Sequence, residues 1–272
     1  MIALRPRDGG YPASLRDLRH PPDPLFVEGD LGDLDHAVAI VGTRRMTGYG
    51  ERVARELAMA CAAVGIVVVS GLAQGVDSAA HRGALDGGGR TIAVLGESIP
   101  AFLATVRGRR RPLAPRIRAG GALVSEYAAP FVAKPWMFAQ RNATIAALAS
   151  TVVVVEAGEV SGALITADRA RELGRTLYAV PGPIGSAASV GTNRLIAGGL
   201  AKALTSASDL TGRAAIAAPS DAVLDLPRDG PLGLDEIARR GGMTSVMVTA
   251  RVAMLLLRGE VLSLPDGRLR RA

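Results

Sequence analysis

Short apolar runs rich in valine and isoleucine alternate along this chain with longer amphipathic stretches. Six runs recur: "VAIVG" (38–42), "IVVVS" (66–70), "TIAVLG" (91–96), "ALVSE" (122–126), "TVVVVEA" (151–157) and "TLYAVPG" (176–182). Their apolar residues are consecutive instead of alternating, the pattern of strands covered on both faces. Between the first two runs Val53, Leu57, Ala60/Cys61 and Val64 fall at helical spacing. Strand and helix in alternation predict a doubly wound α/β domain with a parallel sheet over about 35–210. The stretch 1–34, with "PPDPLFVEGDL", reads as an N-terminal arm carrying one strand, and 211–224 as a linker.

The tail, 225–272, has a different rhythm. A helix starts at Leu234-Asp235, a turn falls at Gly241-Gly242, and a second helix runs from Thr244. A hairpin follows, turning at Pro265-Asp266-Gly267. Helix–turn–helix plus hairpin is the winged-helix pattern, a module that serves protein contacts as well as DNA.

Composition narrows the function classes. At 49% apolar and 21% charged residues over 272 positions, the chain can bury a large core. The single cysteine, Cys61, excludes an internal disulfide and cysteine-built zinc sites. His20, His36 and His81 lie in separate stretches and form no metal constellation. No apolar run is long enough to cross a bilayer, and "MIALRPRDGGYP" has no apolar signal core, so a cytoplasmic protein without membrane attachment is expected. The net charge of +7 is unevenly placed: the two ends nearly balance and the middle holds the excess. Lys134 and Lys202 are the only lysines, and "VRGRRRPLAPRIR" packs six arginines between Arg107 and Arg118 with no acid among them. That cluster reads either as a solvated loop or as a patch facing a polyanion.

Four of the predicted strands run into loops of small residues, and ligands of such sheets bind outside the carboxyl ends of the strands. After the first strand come Gly42, Arg44 and Arg45; after the second, Ser70 and Gly71; later, Ser161 with Gly162, and Gly182 with Gly191, Thr192 and Asn193. Glycine admits a close phosphate, the N–H groups at the next helix start are expected to point outward, and arginine adds charge-assisted bonds. A dinucleotide site is disfavoured. The first-loop glycines fall at 42, 48 and 50, and the second strand ends in Ser70-Gly71 where a ribose-binding acid would stand. Any single loop is explained equally by turn chemistry; the four together point to a row of anionic subsites.

Aromatic residues are scarce, yet Tyr127, Phe131, Trp136 and Phe138 crowd into "EYAAPFVAKPWMFAQRN" with Lys134, Arg141 and Asn142. Aromatics interleaved with cations suit a single-stranded nucleic acid, whose bases stack while its phosphates pair. Trp136 and Phe131 fit a core role as well, which leaves Phe138 as the better stacking candidate.

Taken together, "AIVGTRRMTGYG", "SGLAQGVDSAAHRGAL", "GGRTIAVLG", "VSEY", "RNATIAALAS", "VVVEAGEVSGALITADRARELGRTLYAVPG" and "GTNRLI" resemble the DNA-processing protein A (DprA/Smf) family in content and order across roughly 23–205. The resemblance implies an extended Rossmann-like domain, often dimeric, that binds and protects single-stranded DNA and loads the RecA recombinase during transformation. It also implies no cofactor and no chemistry. By position it places Arg44 on the DNA backbone and assigns Ser70, Gly71, Lys134, Phe138, Arg141, Asn142, Ser161, Gly162 and Asn193 to the binding loops. Three departures stand out. Ala143 occupies a position where the family usually has arginine. The segment after "AVLG" lacks the usual Tyr-Pro and carries the arginine cluster. The family's N-terminal helical domain is absent or cut to a stub. Two other readings stay open: a nucleotide-cleaving phosphoribohydrolase of the same superfamily, whose P-G-G-x-G-T-x-x-E motif is not matched, and a recombinase adaptor. Asp77 and His81, one helical turn apart, have the spacing of an acid/base pair, although helix capping explains them more simply.

Overall fold

A computed structural model gives the fold and describes residues 1–129, 134–212, 231–241, 248–249, 252, 255–256 and 261–271. The chain divides into two compact units, Met1–Ala215 and Ile216–Ala272. The strands of the first are β1 (Ile2–Leu4), β2 (Leu25–Gly29), β3 (Val38–Val41), β4 (Val68–Ser70), β5 (Thr91–Leu95), β6 (Gly121–Ser125), β7 (Thr151–Val154), β8 (Thr176–Ala179) and β9 (Lys202–Ala203). They form one nine-stranded sheet in the order β1-β2-β6-β5-β4-β3-β7-β8-β9. Strands β3 to β9 pair in parallel; β2 joins β6 antiparallel, and β1 joins β2 the same way. The opening segment therefore supplies two strands where one was expected, and it extends the sheet.

The helices are α1 (Gly48–Ala63), α2 (Val76–Asp86), α3 (Ile99–Thr105), α4 (Leu113–Gly120), α5 (Pro135–Ala147), α6 (Gly162–Glu172), α7 (Val190–Ala197) and α8 (Ser208–Thr211). They account for the unbroken apolar runs. Val38 and Ile40 pack with Leu57, Cys61 and Val76 on the face of α1 and α2. Ala39 and Val41, one position on, pack with Ile145, Leu148 and Ala167 on the face of α5 and α6. Both faces are covered, so the strand interiors are apolar, and the buried polar residues Ser70, Thr91 and Ser125 fall at strand ends.

The winding reverses beside β3. Strands β4, β5 and β6 are laid down to one side of it and β7, β8 and β9 to the other. The loops after β3 and β7 therefore part in opposite directions, opening a crevice at the carboxyl ends of the strands.

In the second unit, α9 (Leu234–Gly241) and a hairpin of β10 (Val261–Ser263) with β11 (Leu269–Arg271) are described. Ile237, Val248, Val252, Leu255, Val261 and Leu269 share a small core. Gly242, the predicted helix start at Thr244 and most of the expected linker lie outside the described residues.

Asp77 and His81 are both buried in α2 and do not act as a pair. Asp77 accepts bonds from backbone N–H groups of Gly71 and Ala73. His81 Nδ1 lies 2.7 Å from Thr91 Oγ1, whose own proton goes to the Val68 carbonyl at 2.7 Å. Thr91 must then accept, so neutral His81 carries its proton on Nδ1 and ties α2 to the sheet. Burial, with Arg141 and Arg82 nearby, pushes its pKa down to about 3. The unfolded chain binds this proton below about pH 6.5 while the native state does not, so stability is lost as the pH falls towards 3. Urea unfolding of His81→Leu should show a loss between about pH 7 and pH 5 smaller than that of the wild type by about 2 kcal/mol.

Candidate nucleic-acid interface

The loop after β3, residues 42–47, and the loop after β7, residues 155–161, face each other across the crevice, with α5 between them. They enclose a cavity of about 440 Å³. Of the residues expected to bind, Gly42, Arg44, Arg45, Phe138, Arg141, Asn142, Ser161 and Gly162 all line it. Helix α5 presents three of them on one face because Phe138, Arg141 and Asn142 stand three and four residues apart.

Two of the cations are free. Arg44 and Arg45 are solvent-exposed, and the Arg44 guanidinium sits over the Phe138 ring, 5.7 Å from its centroid. The ring rests against Gly96, where an added Cβ would come within 2.4 Å of it. Phe138 is therefore half-buried between a glycine and an arginine instead of standing free as a platform.

Several other residues expected to bind make hydrogen bonds within the protein. Arg141 is only 4% exposed, and its Nη1 donates to the carbonyls of Gly71 and Val94, each at 2.6 Å. Burial lowers its pKa, partly offset by the Asp77 carboxylate, which burial raises. Gly71 is required for space: a Cβ there would lie 2.0 Å from Arg141 Nη1. Ser70 is fully buried and donates to the Ile40 carbonyl at 2.7 Å. Asn142 donates to the Gly162 carbonyl at 3.1 Å, and Ser161 caps α6 by accepting from Ala163 N–H at 3.4 Å. Asn193 clamps both backbone groups of Gly182, at 3.0 and 3.1 Å, and does not line the cavity. Lys134 is exposed at the start of α5, outside this cavity. Motif position brought these side chains to the right edge of the sheet; burial decides which reach solvent. Trp136, by contrast, is 53% exposed and meets Tyr127 edge-on, while Phe131 lies outside the described residues.

The start of α1 differs from expectation. Part of its N-terminus is already engaged, because Glu156, from the end of the β7 run, lies against it. The buried carboxylate accepts from Thr47 N–H at 2.9 Å and from the Thr47 hydroxyl, while Thr47 itself caps the helix at Gly50 N–H. Gly50 leaves the room: a Cβ there would lie 2.3 Å from Glu156 Oε2. A fixed carboxylate thus stands where a nucleotide-binding Rossmann fold holds its phosphate. The positive charge facing the crevice is carried by side chains, chiefly arginine. Among the described residues no group of three or more acidic, histidine or cysteine side chains is placed to hold a metal, and no helix is long and apolar enough to cross a membrane.

Two further cavities adjoin the first through Arg44. One of about 350 Å³ is lined by Gly71, Gln74, Glu97, Phe102, Arg110 and Phe138. Burial raises the Glu97 pKa there, against the pull of Arg110. The other, of about 320 Å³, is lined by Arg45, Arg82, Arg107, Arg109 and Arg110. The run from Arg107 to Arg118 is thus divided: Arg116 pairs with Asp86 at 3.1 Å and Arg118 with Glu28 at 3.4 Å. Gln74, Arg82 and the Arg110–Phe102 pair, 6.0 Å from guanidinium to ring centroid, fall within quoted stretches or beside them but were not singled out as site residues.

The family model for DNA recombination-mediator protein A matches residues 3–215. The chain belongs to this family. Protein Smf of Escherichia coli is 36% identical, over 96% of this chain and 76% of its own. A putative DNA processing protein DprA of Mycobacterium tuberculosis is 39% identical, over 96% and 72%. Among solved structures, DNA processing protein A of Streptococcus pneumoniae superposes with a TM-score of 0.70 at 36% identity, covering 77% of this chain and 72% of that one. DNA processing protein A from Helicobacter pylori, described for its single-stranded DNA binding mode, gives 0.68 at 31% identity, covering 74% and 91%. The family match contains the whole crevice, the arginine loops and α5.

The division between exposed and buried arginines is measurable. Urea unfolding should place Arg44→Gln within about 0.5 kcal/mol of the wild type. Arg141→Gln, which strips two buried carbonyls of their charged donor, should cost at least about 2 kcal/mol.

Proposed function

We propose that this chain binds single-stranded DNA along the carboxyl edge of its sheet, as a mediator of DNA recombination and not as an enzyme. The observation that carries this reading is the Arg44 guanidinium lying over Phe138 in the crevice where the sheet reverses its winding. Phosphate pairs with Arg44 and Arg45; an incoming base takes the place of the guanidinium on Phe138, which frees Arg44 for the backbone. Gly42, Gly162 and the capped loop at Ser161 let the strand approach, while Ser70, Gly71, Arg141, Asn142 and Asn193 hold the rim in shape. Lys134 extends the charge beyond the cavity. The single-stranded DNA binding described for the Helicobacter pylori relative supports the same choice of ligand. Contact is independent of sequence, since nothing in the crevice is arranged to read base edges.

In this reading the protein protects incoming single strands and loads the RecA recombinase onto them during transformation, as a cytoplasmic homodimer without a cofactor. Residues 1–34 then serve as the edge of the 35–210 domain, 211–224 is the linker, and 225–272 is a winged-helix module. Against a nucleotide-cleaving enzyme stands Glu156, whose carboxylate is committed to Thr47 and sits on the phosphate position of α1.

The test is anisotropy of labelled oligo-dT and of the matching duplex, titrated in salt. Preference for the single strand is expected, with log K falling against log salt by about 0.7 per phosphate neutralised. Arg44→Glu should abolish binding, and Phe138→Ala should weaken it by about 1–3 kcal/mol. Equal binding to duplex, or release of a free base from nucleoside monophosphates, would overturn the reading.

A further inference from the structure

The cavity beneath Phe138 holds only part of a strand, and the basic surface does not stop at its rim. Arg44 lines all three adjoining cavities, so a backbone seated beside it has two ways onward. One leads past Glu97. The other leads into the cavity of Arg45, Arg107, Arg109 and Arg110, whose lining includes no acidic residue. Three features of that second way point to a phosphate-bearing occupant. Arg45 and Arg109 are exposed and make no ion pair among the described residues. Arg107 spends its Nη1 on the carbonyls of Ala104 and Val106, both at 3.0 Å, which fixes the side chain while leaving its charge uncompensated. Arg110 lies over Phe102, a second arginine on an aromatic ring beside the Arg44–Phe138 pair. The remaining arginine of the cavity, Arg82, is neutralised by Glu51 at 3.2 Å, so it steers less than its neighbours.

We infer that the nucleic-acid path turns at Arg44 and continues across a second phosphate subsite built by Arg45, Arg107, Arg109 and Arg110. This rests on the single-strand reading above. The short turn 108–110 between α3 and α4 carries Arg109 and Arg110, which line one cavity together with Arg44 and Arg45 of the first loop. The same sequence cluster supplies its own control, because Arg116 and Arg118 face away and are ion-paired. A path of this kind has a length-dependent signature. An oligomer short enough to sit at the Phe138 cavity does not reach the second subsite, while a longer one spans both.

Oligo-dT of roughly 4 and roughly 16 nucleotides, the limits of ordinary single-strand site sizes, provides the comparison. Arg107→Gln/Arg109→Gln should bind the longer oligomer about tenfold more weakly, with a salt slope shallower by about 1.4, the share of two phosphates. It should bind the shorter one as the wild type does. Arg107→Lys/Arg109→Lys, which keeps the charge, should restore the slope. Arg116→Gln/Arg118→Gln should change neither oligomer. Unaltered binding of the longer oligomer by the Gln pair, an equal loss at both lengths, or an equal loss in the Arg116/Arg118 pair would overturn the second subsite while leaving the first in place. Failure of the wild type to bind either oligomer would overturn both.

Discussion

A buried guanidinium organises the rim on which everything else in the crevice is mounted. Arg141 reaches from α5 to the carbonyls of Gly71 and Val94, at the ends of two neighbouring strands, and lies against the Asp77 carboxylate of α2. One side chain thus joins a helix on one face of the sheet, the strand ends, and a helix on the other face. Bonds to a charged donor are worth more than neutral ones, and their loss leaves buried acceptors without partners. Phe138, one turn earlier on α5, takes its position against Gly96 from that anchoring, and Arg44 takes its own from Phe138. The exposed side chains of the crevice are therefore held in place by a charge that is itself buried.

The second constraint is the carboxylate of Glu156 at the start of α1. By filling the place that a Rossmann fold ordinarily offers to a phosphate, it converts a nucleotide pocket into a stiff wall. The charge facing the crevice then comes from arginines on the loops, and these are spread along the edge of the sheet instead of converging on one point. A dispersed row of cations suits a polyanion better than a mononucleotide, because each successive phosphate finds a separate partner.

The sheet was legible because its six central strands are covered on both faces and carry unbroken apolar runs in their interiors, as Val38 to Val41 illustrate. The edge strand β1 was not, because three residues with one face open carry no such signal. Gly42, Arg44 and Phe138 could be placed from motif order, and the cavity brings them together. What the motifs did not carry was direction. Ser70 at the end of β4, Arg141 on α5 and Asn193 on α7 belong to the same motifs, yet the Ser70 hydroxyl, Arg141 Nη1 and the Asn193 amide are spent on backbone partners that only the folded chain brings near. The bond between Thr47 and Glu156 spans 109 positions, and the division of the arginine run at α4 follows from where Asp86 and Glu28 stand. Neither leaves a local pattern.

Hydrogen exchange on the full chain, with and without saturating oligo-dT, addresses the central claim most directly, since it reads every loop of the edge at once. The account predicts slowed exchange in residues 42–47, 71–75, 96–110 and 158–162, and none at the opposite end of the sheet around 30–36 and 148–150. Protection confined to that opposite end, or to residues 216–272, would contradict it.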